Sequence, residues 1–126
     1  MTQNFTFRDE VIEKYDEDTY DLIMDCFDSM PIAGLVGEKY FAIHGGISPD
    51  LGKIASLDTA IDRFQEVPTS GLFCDLVWAD PVDDKDSNLM KDFCPNDDRD
   101  CSVFFGEAAT KKLIEENSLI SILRGH

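Results

Sequence analysis

The chain has 126 residues, 43% of them hydrophobic, with 26 acidic against 11 basic side chains and a formal net charge of −15. That length suits one domain or a substantial part of one. The charge disfavours nucleic acid as the main partner, because phosphate backbones select positive surfaces, although local metals and arginines can still reverse the potential inside a cleft.

There is no run of 18 apolar residues, so no membrane-crossing helix is expected. The opening MTQNFTFRDE has neither the basic region nor the apolar core of a signal peptide. Cys26, Cys74, Cys94 and Cys101, separated by 48, 20 and 7 residues, match no compact zinc motif. Reduced thiols in a cytoplasmic protein are expected in preference to a disulfide framework.

Residues 9–30 read as helix in two pieces. Tyr20, Ile23, Met24, Phe27 and Met30 share one face at three- and four-residue spacing and are expected in the core. Asp18 or Thr19 would cap the second piece and Pro31 would end it. In KYFAIHGGISPD, the run Tyr40–Ile43 predicts a buried strand that delivers His44 to its carboxyl edge, where Gly45 and Gly46 permit a tight turn. SLDTAIDRF predicts a short helix capped by Ser56. GLFCDLVWADPV, residues 71–82, reads as a strand or extended segment leading into a loop, and the Asp-rich stretch 83–101 as a mobile loop. SVFFG predicts a strand, and EAATKKLIEENS an amphipathic helix with Ala109, Leu113 and Ile114 inward. LISILRGH repeats the earlier pattern of an apolar strand ending in a histidine beside a glycine.

Two apolar strands thus carry His44 and His126 to their ends. If the strands are sheet neighbours, both imidazoles reach one metal; the bland alternative is a pair of hydrogen-bonded turn histidines. Arg99, in PNDDRDCS, has the planar fork that grips two phosphate oxygens. Asp97, Asp98 and Asp100 supply the competing reading, a guanidinium satisfied by its neighbours. Asp80 would orient a ligand or cap the turn before Pro81, and Trp78 reads as packing.

Taken in order, FAIHGGISPDL, GLFCDLVWADP, NDDRDCSVFFG and LISILRGH resemble successive motifs of the metallophosphoesterase-type serine/threonine protein phosphatases. FTFRDE, DRFQEVP and SILRGH are most similar to calcineurin catalytic subunits. The resemblance spans residues 2–126. It implies an α/β chain forming part of a metallophosphoesterase fold, a β-sandwich flanked by helices. It implies hydrolysis of phosphoserine and phosphothreonine esters at a dinuclear centre of iron, zinc or manganese. His44 and His126 fall on metal-ligand positions, Arg99 on a phosphate-binding position, and Asp80 on a position whose role is mainly structural. Asp100 stands where the family carries glycine, Gly125 where it carries alanine, and Ala79 where it carries serine.

The sequence contains no Asp-x-His, no Gly-Asp-x-x-Asp-Arg-Gly and no Gly-Asn-His-Glu, the family motifs for the remaining ligands, a second phosphate-binding arginine and the catalytic acid. The expectation is therefore a partial catalytic domain over 1–126, lacking the N-terminal ligand motifs and the C-terminal strands. Alone it would be inactive. Its expected partners are a phosphoprotein substrate in the complete enzyme and a missing phosphatase half or regulatory protein, with neither nucleic acid nor membrane. A non-catalytic interaction module is the alternative.

Overall fold

The computed structural model describes residues 2–83 and 92–125, which pack as two units, Met1–Met30 with Arg63–Glu66 and Pro31–Asp62 with Val67–His126. The first unit is the expected pair of helices, α1 (Phe7–Lys14) and α2 (Glu17–Asp28). The cap of α2 is Asp16, not Asp18 or Thr19. Its extended backbone lets the carboxylate accept from the Thr19 amide at 2.8 Å, whereas Asp18 and Thr19 already lie within the first turn. The apolar stripe is only partly covered. Tyr20 is buried, Ile23 and Met24 are half-buried, and Phe27 and Met30 are 40% and 53% exposed. The eight-residue α1 is too short to cover the whole face, although the Phe7 ring packs against Tyr20 and Phe27.

The second unit is built on a three-stranded sheet. Strand β1 (Ala33–Val36), which the sequence pattern did not disclose, pairs antiparallel with β2 (Tyr40–Ile43). Gly37 and Glu38 make the turn between them with φ of 57° and 58°, the left-handed region. On its other side β2 pairs in parallel with β6 (Ser121–Arg124), with Ile43 opposite Arg124. The two histidine-delivering strands are therefore sheet neighbours. A second sheet has the order β3 (Asp80–Pro81), β5 (Val103–Phe105), β4 (Phe93–Pro95). The stretch 83–101 thus contains a strand as well as loop, while 84–91 lie outside the described residues.

Two further expectations need correction. SLDTAIDRF does form the expected short helix, the single turn α3 (Leu57–Ala60) after a 3-10 turn at Ile54–Ser56, with Ser56 at the cap position, but the expected side-chain cap is not made. Ser56 makes no capping bond because its hydroxyl donates back to the Lys53 carbonyl at 2.6 Å. GLFCDLVW forms α4 (Leu72–Trp78), not a strand. Only Asp75 interrupts the apolar run of this short helix, which is buried at Cys74, Asp75 and Leu76, and a central strand can give much the same pattern, so periodicity cannot separate them. Helix α5 (Glu107–Glu116) is as expected, with Ala109 and Leu113 buried.

Phe41, Ile43, Ile47, Leu76, Phe105 and Leu113 form the heart of the core, where β2, the turn after it, α4, β5 and α5 meet. The class is α/β, two small sheets flanked by helices.

Candidate active site

His44 follows the last residue of β2. Ile43 is 6% exposed, whereas the imidazole beyond it is open to solvent. The turn that releases it lies directly on the carboxyl end of α4: the Gly45 amide donates to the Leu76 carbonyl at 2.9 Å. A Cβ on Gly45 would sit 2.6 Å from the Trp78 nitrogen and nearer still to the Val77 carbonyl. On Gly46 it would meet the Phe105 ring. The paired glycines are thus demanded by close backbone approach.

Parallel pairing brings the end of β6 to the same place. The Gly125 amide donates to the Ile43 carbonyl at 3.2 Å, and a Cβ on Gly125 would lie 3.0 Å from His44 Nδ1. This is the position where the resemblance places alanine, so glycine here leaves the imidazole more room. His126 lies outside the described residues. A shallow depression runs along this edge, with Ile32, Ala33, Ala42, His44 and Gly125 in its lining.

Arg99 is not satisfied by its sequence neighbours alone. Its Nε donates to Asp80 Oδ2 at 2.8 Å and its Nη2 lies 3.4 Å from Oδ1, while the guanidinium carbon stands 6.0 Å from the Trp78 ring centroid. Trp78 thus packs, as expected, but against a cation. Asp80 also accepts from Arg124 Nη2 at 3.0 Å and from Asn96 Nδ2 at 3.1 Å. Arg124 turns its Nε to the Gly45 carbonyl at 2.6 Å. One carboxylate therefore connects the end of β6, the histidine turn and the loop carrying Arg99. Hydrogen bonding from Arg99, helped by Asn96 and Arg124, outweighs burial and brings the Asp80 carboxyl down to about 2 from its ordinary 3.8.

Sequence reasoning missed three residues of this corner. Arg124 was visible in the Arg-Gly-His run but not singled out. Asn96, 3% exposed, was hidden in a polar stretch. Asp75 sat in a run read as strand. It is buried and accepts from Ser48 Oγ at 2.5 Å and Ser102 Oγ at 2.8 Å, tying the segment after His44 to the segment after Arg99. Cys74 beside it is fully buried; burial, with Cys101 and Asp75 nearby, pushes its thiol up to about 12. Asp100, in the family's glycine position, has a φ of 56°. That is the left-handed region glycine enters freely and aspartate tolerates at some cost.

Among the described residues no three His, Cys, Asp or Glu side chains converge in a way that would hold a metal ion. The donor chemistry at the sheet edge, one exposed imidazole, is compatible with a part of a metal site and no more.

A family model described as calcineurin-like phosphoesterase matches residues 4–126. The chain is 40% identical over 134 residues to serine/threonine-protein phosphatase 2B catalytic subunit A1 of Saccharomyces cerevisiae, covering 100% of this chain and 24% of that protein. It is 35% identical over 127 residues to the phosphatase 4 catalytic subunit of Kluyveromyces lactis, covering 100% of this chain and 39% of the relative. A solved serine/threonine phosphatase from Saccharomyces cerevisiae, described as similar to human phosphatase PP5, superposes with a TM-score of 0.80 at 29% identity. That likeness covers 94% of this chain and 35% of the other. The chain therefore spans about a quarter to two fifths of the length of these relatives, and its two small sheets and their helices are part of a metallophosphoesterase fold. This chain belongs to the calcineurin-like phosphoesterase family.

Proposed function

We propose that the chain is the carboxyl-side part of a serine/threonine protein phosphatase catalytic domain, which in the complete enzyme hydrolyses phosphoserine and phosphothreonine esters. The observation that carries this reading is the parallel pairing of β2 with β6, which sets Gly125 against the His44 imidazole. In the complete enzyme His44, together with His126 as the next residue after Gly125, would hold one ion of a pair drawn from iron, zinc or manganese. The remaining ligands come from residues beyond those described. When bound, such a pair polarises the phosphoryl oxygens and neutralises charge on them. Arg99 grips phosphate oxygens through its planar fork. Arg124 fixes the histidine turn through the Gly45 carbonyl, so the imidazole and the guanidinium are presented from one braced corner. The substrate is a phosphoprotein.

One observation favours a second reading, a half-enzyme or interaction module that docks a missing phosphatase half or a regulatory protein. Val36, Tyr40 and Leu123 alternate onto the same face of the first sheet and are 57%, 39% and 50% exposed. Parallel strand pairs such as β2 and β6 are normally covered on both faces.

The test has two arms. Purified 1–126 with manganese is expected to give negligible turnover of a phosphoserine peptide. Substituted for the matching segment of the yeast phosphatase 2B subunit, it is expected to support hydrolysis that His44→Ala abolishes. A folded but inert graft would overturn the phosphatase reading. Turnover by 1–126 alone, lost in His44→Ala, would overturn the view that the chain is incomplete.

A further inference from the structure

We propose that Asp80 is a positioning residue whose carboxylate holds the Arg99 guanidinium in place for a phosphoryl group. The proposal rests on the reading of Arg99 as a phosphate clamp and adds the residue that makes the clamp usable. Asp97, Asp98 and Asp100 flank Arg99. An arginine on a loop with three neighbouring carboxylates is, by chain connectivity, always within reach of a partner that would neutralise it.

Two geometric features set the hold on Arg99. Asp80 engages the guanidinium along its Nε edge, through Nε at 2.8 Å and Nη2 at 3.4 Å, while the Trp78 ring lies 6.0 Å from the guanidinium carbon. Asp80 also anchors the base of the loop, because Asn96 Nδ2 donates to it at 3.1 Å. Asn96 in turn organises the bend: its side-chain oxygen accepts from the Asp98 amide at 3.2 Å, its carbonyl from the Arg99 amide at 3.4 Å, and its own amide donates to the Ser102 carbonyl. Asp80 itself is fixed by backbone pairing opposite Phe104 and by Arg124 from the neighbouring sheet. The carboxylate thus sets both the guanidinium and the loop from which it projects.

Positioning and simple charge neutralisation predict opposite signs. If Asp80 only cancelled charge on Arg99, its replacement by asparagine would raise the local potential and tighten anion binding. If it positions Arg99, the same change frees the loop, the neighbouring acids compete for the guanidinium, and anion binding weakens.

The experiment is a titration of the nitrogen-15-labelled chain with inorganic phosphate, followed at the arginine Nε–H resonances and at Trp78 fluorescence. The wild-type Arg99 Nε–H is expected to be shifted downfield by its carboxylate partner and to respond to phosphate. Asp80→Asn is expected to lose that shift and to need about tenfold more phosphate for the same response. Equal or tighter binding by Asp80→Asn would overturn the proposal while leaving the clamp reading intact. A wild-type Arg99 that ignores phosphate while other backbone signals show a folded chain would sink the clamp reading, and the proposal with it. Should Asp80→Asn fail to fold, Asn96→Ala gives the same discrimination at unchanged net charge: weaker phosphate binding supports positioning, and unchanged binding refutes it.

Discussion

Replacing Gly45 with alanine tests whether the His44 turn is seated as tightly on α4 as its geometry implies. The added Cβ would stand 2.6 Å from the Trp78 nitrogen and closer to the Val77 carbonyl, all backbone atoms of a helix end whose Leu76 is 0% exposed. A comfortable carbon contact is about 3.5–4 Å, so turn and helix must separate by roughly 1 Å. Separation stretches the Gly45 amide bond to the Leu76 carbonyl and opens the core between Ile47 and Leu76. Forced overpacking costs about 1–3 kcal/mol, and rigid backbone on both sides puts this site at the upper end, about 3 kcal/mol. With a urea dependence of about 1–3 kcal/mol per molar, the unfolding midpoint should fall by roughly 1–3 M. Trp78, the one tryptophan in the sequence, reports the transition from within the perturbed contact. Gly52→Ala is the control, since nothing lies within 4 Å of its Cβ and its φ is not positive. It should be neutral or stabilising by up to about 1 kcal/mol. If the two variants unfold at the same urea concentration, the close approach is not what requires glycine after His44.

Acid should act through Asp80. Its carboxyl lies at about 2 in the folded chain against an ordinary 3.8, so its contribution is complete above about 3.8 and is lost as pH falls through about 2. The difference amounts to about 2 kcal/mol, and unfolding curves between pH 5 and pH 2 should lose that much less in Asp80→Asn than in the wild type; equal losses would refute the assignment. Asp100→Gly should relieve the left-handed backbone and remove a negative charge beside Arg99. A gain of about 0.5–1 kcal/mol is expected from thermal unfolding, and a loss would show that the Asp100 side chain has a structural role.

The sequence alone determined the local elements whose signals are self-contained. An apolar run stopped by His-Gly-Gly gives β2 and an exposed imidazole, the 3.6-residue period gives α5, and SVFFG and LISILR give β5 and β6. Ordered motifs also disclosed the family. Where competing elements produce the same pattern, the sequence could not decide: GLFCDLVW is apolar but for Asp75, as a buried strand could also be, and β1 shows no periodicity because it is an edge strand with three of its four residues exposed. Nor could it show how much of the α2 stripe would find a partner.

Tertiary structure alone decided the pairing of charges. Arg99 has three acids as sequence neighbours, yet its carboxylate partner is Asp80, nineteen positions away in the chain, because parallel pairing of β3 with β5 fixes where that carboxylate stands. Arg124 and Gly45 are brought together by β2 and β6 in the same way. Local propensity depends on a few adjacent residues and can be read from them; an ion pair across sheets depends on register, which exists only once the strands have met.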